Sequence, residues 1–374
     1  MVLAINVEGE RMHRLIVALA AAVALSAGGA RAEEVPRYVV DAAWPKELPH
    51  NWIMGQVGGM TVDRQDHIWV NQRPRTLTSD EKGATLSPPE SSCCAPAPPV
   101  MEFDAAGTLI QAWGGPGAGY DWPEVEHGIF VDSKGFVWVA GNGPKDGQIL
   151  KFTHDGRFVK QIGHPGEPDS NDTTHLGRPA NLWIDEAANE IYVADGYANH
   201  RVIVFDSETG AYKRHWGAYG KRPTDEKVGA YDPKAPPSSQ FGNPVHCVQV
   251  APDGLVYVCD RVNDRIQIFH KDGGYVGEWF YERNTLRAGS TWDIALSPDP
   301  ARALLFTLDG TNNEVRVLDR RTGEVLGRFG HQGRNAGQFH WVHQIAIDSK
   351  WNVYTGEVDT GKRIQKFVRE AAAR

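Results

Sequence analysis

"VEHGIFVDSKGFVWVAG", residues 125–141, sets the reading of the whole chain. Ile129, Val131, Val137 and Val139 alternate around a Ser133-Lys134-Gly135 turn, the pattern of a β-hairpin with one face buried. His127 stands just ahead of the apolar run. One histidine at one strand start reads as an ordinary hydrogen-bonded side chain. Its recurrence elsewhere changes that reading.

The hairpin repeats as "GGMTVDRQDHIWVNQ" from Gly58, "ANLWIDEAANEIYVAD" from Ala180, "HCVQVAPDGLVYVCD" from His246, "WDIALSPDPARALLFTLD" from Trp292 and "HQIAIDSKWNVYTGE" from His343. A third strand follows, as in "HRVIVF", "DRIQIF", "NEVRVL" and "KRIQKF", and most copies have a fourth, as in "GRFVKQIG" or "GGYVGEWF". Copies of a four-stranded unit spaced by roughly 45–70 residues predict an all-β, six-bladed β-propeller. The last copy ends after three strands. "RYVVDAAW", residues 37–44, is the strand left over at the front, and it is expected to complete blade six and close the ring.

Aligned first strands place Gly58, His127, Ala180, His246, Trp292 and His343 in one register. Histidine falls on blades two, four and six only. With 14 histidines in 374 residues, chance gives this alternation on the order of once in ten thousand. Innermost strands line a propeller's channel, so the three imidazoles are predicted to converge on the axis. Three neutral imidazoles around an open position make a catalytic zinc site. The blander reading is three channel histidines bridged by water.

Composition bounds the rest. Hydrophobic residues make up 41% of the chain, enough for a large core, and the net charge is −8. No basic run appears, so nucleic acid is not an expected partner. "MHRLIVALAAAVALSAGGARA", residues 12–32, has the form of an export signal. His13-Arg14 leads, an apolar run spans 15–24, and Ala30-Arg31-Ala32 is the cleavage signal. The run is too short to span a membrane. Met12 is the expected start, with cleavage after Ala32, leaving 33–374 as one propeller domain, periplasmic or secreted, monomeric and without a membrane anchor. Oxidising conditions permit disulfides. Cys247 and Cys259 flank an "APDG" turn and can pair, tightly, across neighbouring strands; Cys93 and Cys94 are read as an oxidised structural pair, with free thiols or a soft-metal site as alternatives.

Three features fall on the face where the histidines gather. Arg73 and Arg75 follow the second strand of blade one, and Tyr197 follows that of blade three. Segments 74–99 and 217–240, rich in Pro, Ser and charge, are candidate lids over the channel mouth. A cation and a phenol beside a metal make a charge clamp and a proton acceptor. Asp195, Asp260 and Asp309, followed by Arg201 or Arg265, read most simply as turn capping.

On these residues the sequence resembles the peptidyl-α-hydroxyglycine α-amidating lyases, a branch of the NHL-repeat propellers, over nearly all of 50–370. The resemblance implies zinc on His127, His246 and His343, a base at Tyr197 and a substrate-orienting arginine at Arg73. It implies cleavage of the N–C bond of a carbinolamide to an amide and glyoxylate, with a peptide or small molecule as substrate. The family's structural calcium uses an aspartate after the last histidine. Gln344 stands there and argues against calcium, although backbone carbonyls near Ile129 could contribute. Trp341 replaces the family's methionine two residues before that histidine, the family's cysteine pairs are not matched, and no copper monooxygenase domain is read in this sequence. A metal-dependent ester or lactone hydrolase on the same scaffold, or a non-catalytic periplasmic binding propeller, are the other readings.

Overall fold

The second strands explain why the chain forms blades. Ile68–Arg73, Val137–Gly141, Glu190–Asp195, Leu304–Asp309 and Val353–Glu357 are buried at every residue. Each lies in the middle of a sheet whose two faces pack on neighbouring sheets, so apolar residues form its body and most of its buried polar groups gather towards its ends. In a computed structural model describing residues 35–227 and 229–371, six four-stranded antiparallel sheets form six blades. The proposed leader, residues 12–32, lies outside the described residues.

Blades two to five each use four consecutive strands. Their first strands are Glu126–Val131, Asn181–Asp185, Val245–Val250 and Asp293–Leu296. Blade one begins with Gln56–Val62 and reaches its third strand, Val100–Phe103, only after the long 74–99 segment. Blade six combines Val342–Ile347, Val353–Glu357 and Ile364–Arg369 with Tyr38–Asp41, which pairs antiparallel with the last of these, Tyr38 opposite Arg369.

One aromatic position recurs in every blade. Trp69, Trp138, Tyr192, Tyr257, Phe306 and Tyr354 share one register on the second strands and are buried. Their polar tips are satisfied, as buried indoles and phenols require. Asp63, Asp132 and Asp348 accept hydrogen bonds from Trp69 Nε1 (2.9 Å), Trp138 Nε1 (3.0 Å) and the Tyr354 hydroxyl (3.0 Å).

The acid at the end of the second strand does more than cap a turn. In blade three Asp195 accepts from Gly177 N (2.6 Å) and pairs with Arg201 Nε at 2.8 Å. In blade four Asp260 accepts from Gly242 N (2.8 Å) and pairs with Arg265 Nε at 2.7 Å, and blade five repeats the pair as Asp309 and Arg316. All six side chains are fully enclosed. Cys247 and Cys259 stand opposite each other on the first two strands of blade four with Cα atoms 4.8 Å apart, and are bonded; Cys93 and Cys94 form the second disulfide.

The 74–99 segment is irregular but tied down. It holds two 3₁₀ turns, Pro74–Thr76 and Asp80–Thr85, and Ala95–Pro96 pairs in parallel with Trp52–Ile53. Leu77 and Ala97 are buried, and Glu81 meets Lys362 of blade six at 2.5 Å.

Removing one member of an enclosed ion pair strands the other charge. Asp195→Ala, which leaves Arg201 with no other carboxylate, should therefore lower the unfolding free energy by about 3–5 kcal/mol in a urea titration. The exposed Asp155–Arg157 pair is the control, and Arg157→Ala should leave the urea midpoint unchanged.

Candidate metal centre and its arginine–tyrosine mouth

The inner strands of blades two, four and six each carry a histidine as their second residue, and the three imidazoles meet on the channel axis. Ring centroids lie 5.1 Å apart for His127–His246, 4.8 Å for His127–His343 and 4.9 Å for His246–His343. One ring nitrogen from each lies within 4.8 Å of the others, and all three side chains are buried.

So close an approach needs bare backbone on blade one. A Cβ at Gly58 would sit 2.3 Å from the Glu126 carbonyl oxygen, and one at Gly59 would sit 2.2 Å from that of His127. Asn71 Nδ2 donates to the His127 carbonyl at 3.2 Å, which fixes the strand carrying the ligand. Glycine is here for close contact between main chains.

Burial pushes all three histidines well below the ordinary imidazole range, and the charges of Arg73 and Arg261 push them further in the same direction. They are neutral at pH 7, with ring lone pairs available to a metal. The outer nitrogens are engaged on two of them. His246 Nδ1 meets the Trp292 carbonyl, and His343 Nδ1 lies 3.2 Å from the Gln344 side-chain amide. Such contacts set ring orientation and leave the other nitrogen facing the centre. The residues fit a three-histidine metal site. They fit calcium poorly, because Gln344 offers a neutral amide already turned towards His343.

Tyr197 closes the centre from above. Its hydroxyl lies 3.1 Å from His127 Nε2 and 3.1 Å from His246 Nε2, with Arg261 Nη1 at 3.3 Å. Arg73 is buried at the end of its strand, with Nε donating to the Glu126 carbonyl (2.7 Å) and Nη1 to Gln56 (3.0 Å). Its Nη2, enclosed, has no protein acceptor, and neither does Arg261 Nε. Buried donors without acceptors are costly, and both of these belong to arginines at this centre. Arg178 flanks the Tyr197 ring at 5.8 Å, as Arg261 does from its own side. Arg75 is more exposed and lies 3.4 Å from the Glu126 carboxylate, whose protonation burial favours.

The structure thus brings His127, His246, His343, Tyr197 and Arg73 to one place, with Arg75 at its edge. Sequence reasoning passed over Arg261. The signal was in the repeat, because the residue after the second-strand acid is Arg73 in blade one, Asn142, Gly196, Arg261, Gly310 and Val358. Arg261 therefore holds the Arg73 register three blades away, across the ring.

No family model matches the chain. Over 358 residues it is 26% identical to NHL repeat-containing protein 3 of Mus musculus, covering 90% of this chain and 85% of the relative. It is 25% identical over 335 residues to peptidyl-glycine alpha-amidating monooxygenase B of Xenopus laevis, covering 85% of this chain but only 34% of that protein. Its homologues include NHL repeat-containing protein 3 and members of the peptidylglycine alpha-amidating monooxygenase and lyase family. A solved streptogramin B lyase shares the fold of these NHL-type propellers, with a TM-score of 0.51 at 12% identity over 90% of this chain and 98% of that one. The chain thus spans most of the NHL-repeat relative and about a third of the amidating monooxygenase.

Gly58→Ala tests whether close backbone contact holds the centre together. The added methyl must move the Glu126–His127 strand, so thermal unfolding should show a loss of roughly 1–3 kcal/mol. A variant as stable as the parent would mean that the blade-one seam yields easily.

Proposed function

We propose that this propeller is an exported, zinc-dependent lyase that cleaves the N–C bond of a peptidyl-α-hydroxyglycine or similar carbinolamide, giving an amide and glyoxylate. One observation carries the reading. Three neutral, buried imidazoles meet on alternate blades, the Tyr197 hydroxyl lies 3.1 Å from two of them, and donors of Arg73 and Arg261 are left without protein acceptors. The homology to amidating enzymes supplies the reaction class. Export rests on the form of residues 12–32.

His127, His246 and His343 would hold the zinc, which when bound supplies Lewis acidity at a ligand oxygen. The chain's own residues do the rest. Arg73 and Arg261 bind and orient the substrate carboxylate through the free Nη2 and Nε donors. Tyr197, entering the step as the phenolate, takes the proton of the carbinol hydroxyl and becomes the hydroxyl. The O–H electron pair becomes the second bond of the glyoxylate carbonyl as the C–N bond breaks. Its electrons pass to the amide nitrogen, which takes a proton back from the Tyr197 hydroxyl. The proton count closes without any other reactant. Arg178 and Arg261 each lie 5.8 Å from the centroid of the phenol ring, and Arg261 holds positive charge 3.3 Å from its oxygen.

The test pairs elemental analysis of protein exported to an oxidising compartment with glyoxylate release from an N-acyl-α-hydroxyglycine. One equivalent of zinc per chain is expected. His127→Ala, His246→Ala and His343→Ala should each lose it while the propeller stays folded, and full occupancy in all three variants would sink the site. Tyr197→Phe should keep fold and metal and lose roughly a hundredfold in kcat. Arg73→Lys should also damage turnover, because an ammonium cannot make a planar two-point contact with a carboxylate. Wild-type turnover in Tyr197→Phe would remove the phenol from the mechanism.

A further inference from the structure

The three inner-strand positions that lack histidine are unequal. Blades one and three place Gly58 and Ala180 there, whereas blade five places Trp292. The Trp292 ring lies 5.9 Å from His246 and 5.7 Å from His343, centroid to centroid. Its Nε1 donates to the Gly289 carbonyl at 2.8 Å, so the indole's polar tip is satisfied.

A second indole continues the wall outward. Trp341 packs edge-on against Trp292, with centroids 5.3 Å apart and an interplanar angle of 63°. It stands immediately before the inner strand of blade six, two residues ahead of His343, and it is only half-buried. The backbone holds it firmly. Its N–H donates to Asn313 Oδ1 at 2.8 Å, and its carbonyl accepts from Val358 N at 3.0 Å. Trp341 has φ of 52°, left-handed backbone that a bulky residue adopts only where its surroundings impose it. The Arg261 guanidinium stacks 4.3 Å from the Trp292 ring centroid and so covers the inner indole. The more open aromatic surface is the outer one, on Trp341.

The mouth is therefore polarised. Arg73 comes from blade one, Tyr197 and Arg178 from blade three and the loop ahead of it, and Arg261 of blade four covers Trp292 of blade five, which leaves Trp341 of blade six as the more open indole. A ligand whose carboxylate lies between Arg73 and Arg261 has Trp341 as the aromatic surface open to its other end. We infer that this other end is a flat aromatic acyl group, and that Trp341 is the residue that selects it. The inference rests on the proposed reading for its glycine-like head. The affinity for that head and tail needs no turnover.

Calorimetric titration with two unreactive probes, N-benzoylglycine and N-acetylglycine, tests it on the purified full chain. Both carry the carboxylate and the amide, and neither has the hydroxyl that the lyase reaction consumes. The parent should bind the benzoyl probe more tightly. Trp341→Ala should weaken benzoyl binding by about three- to tenfold, the scale of one aromatic contact, while acetyl binding stays within about twofold. Trp341→Phe should retain most of the preference. Trp341→Leu keeps an apolar side chain without a π face and should lose it, which covers the case of Trp341→Ala failing to fold. Thermal melts of each variant separate lost packing from lost recognition. Equal losses for both probes, no preference in the parent, or no binding of either probe would each overturn the inference. Failure of the lyase reading appears elsewhere, as absent glyoxylate release from an N-benzoyl-α-hydroxyglycine by a protein that still discriminates between the two probes.

Discussion

Main chains at the propeller axis approach so closely that a Cβ at Gly58 or Gly59 would overlap the carbonyl oxygens of Glu126 and His127. That crowding is the constraint on which the centre depends. Six inner strands share one axis, and a side chain at the start of each has nowhere to point but inward. Where the residue is histidine, imidazoles from strands far apart in sequence arrive within 5.1 Å of one another, ring to ring. No local turn or loop has to be shaped to bring them together. The fold's symmetry does it, and this makes the centre rigid, as a preorganised site requires.

Crowding also fixes the electrostatics. The three imidazoles are buried, and desolvation disfavours their charged forms. Two arginines nearby add to the effect. A set of three buried neutral rings with few protein partners is poorly satisfied by the protein alone. The Tyr197 hydroxyl meets two of them, but a single hydroxyl has one proton to give. A cation at the centre would take the remaining lone pairs, and the arginines would remain available to an anionic ligand.

The blades were legible because hairpin alternation and blade length are local properties, written into short stretches such as 125–141. The histidine register was legible for the same reason, since it is a fixed offset within each repeat. Arg261 was not, because its neighbours masked it. In "VCDRVNDR", Asp260 and Arg265 read as a capped turn, and they do form one, so the cation between them drew no separate reading. Arg178 was hidden differently. It lies in a loop ahead of blade three, outside the repeat, and only the tertiary structure brings it beside Tyr197. The tie between segment 74–99 and blade six is also invisible in sequence, because Glu81 and Lys362 are far apart along the chain.

A comparison between blades explains why an arginine at one register is paired with the second-strand acid and at the next is not. In blades three, four and five the second-strand acid consumes the charge of the arginine that follows on the third strand, Arg201, Arg265 or Arg316. Blade one has Gln72 at the acid's position. Its amide accepts from Gly55 N at 2.8 Å and donates to the Ala97 carbonyl at 2.8 Å, so the turn is capped with no charge at all. Arg73, next in the chain, has no carboxylate at its shoulder and is held mainly through a main-chain carbonyl and a neutral amide. Its charge is left to act on the imidazoles and on whatever anion enters. In blade four the acid is kept, but Arg265 neutralises it, and Arg261 is freed by the same logic. Two arginines facing one centre from opposite sides of the ring thus arise by two local routes, one by removing the acid and the other by occupying it.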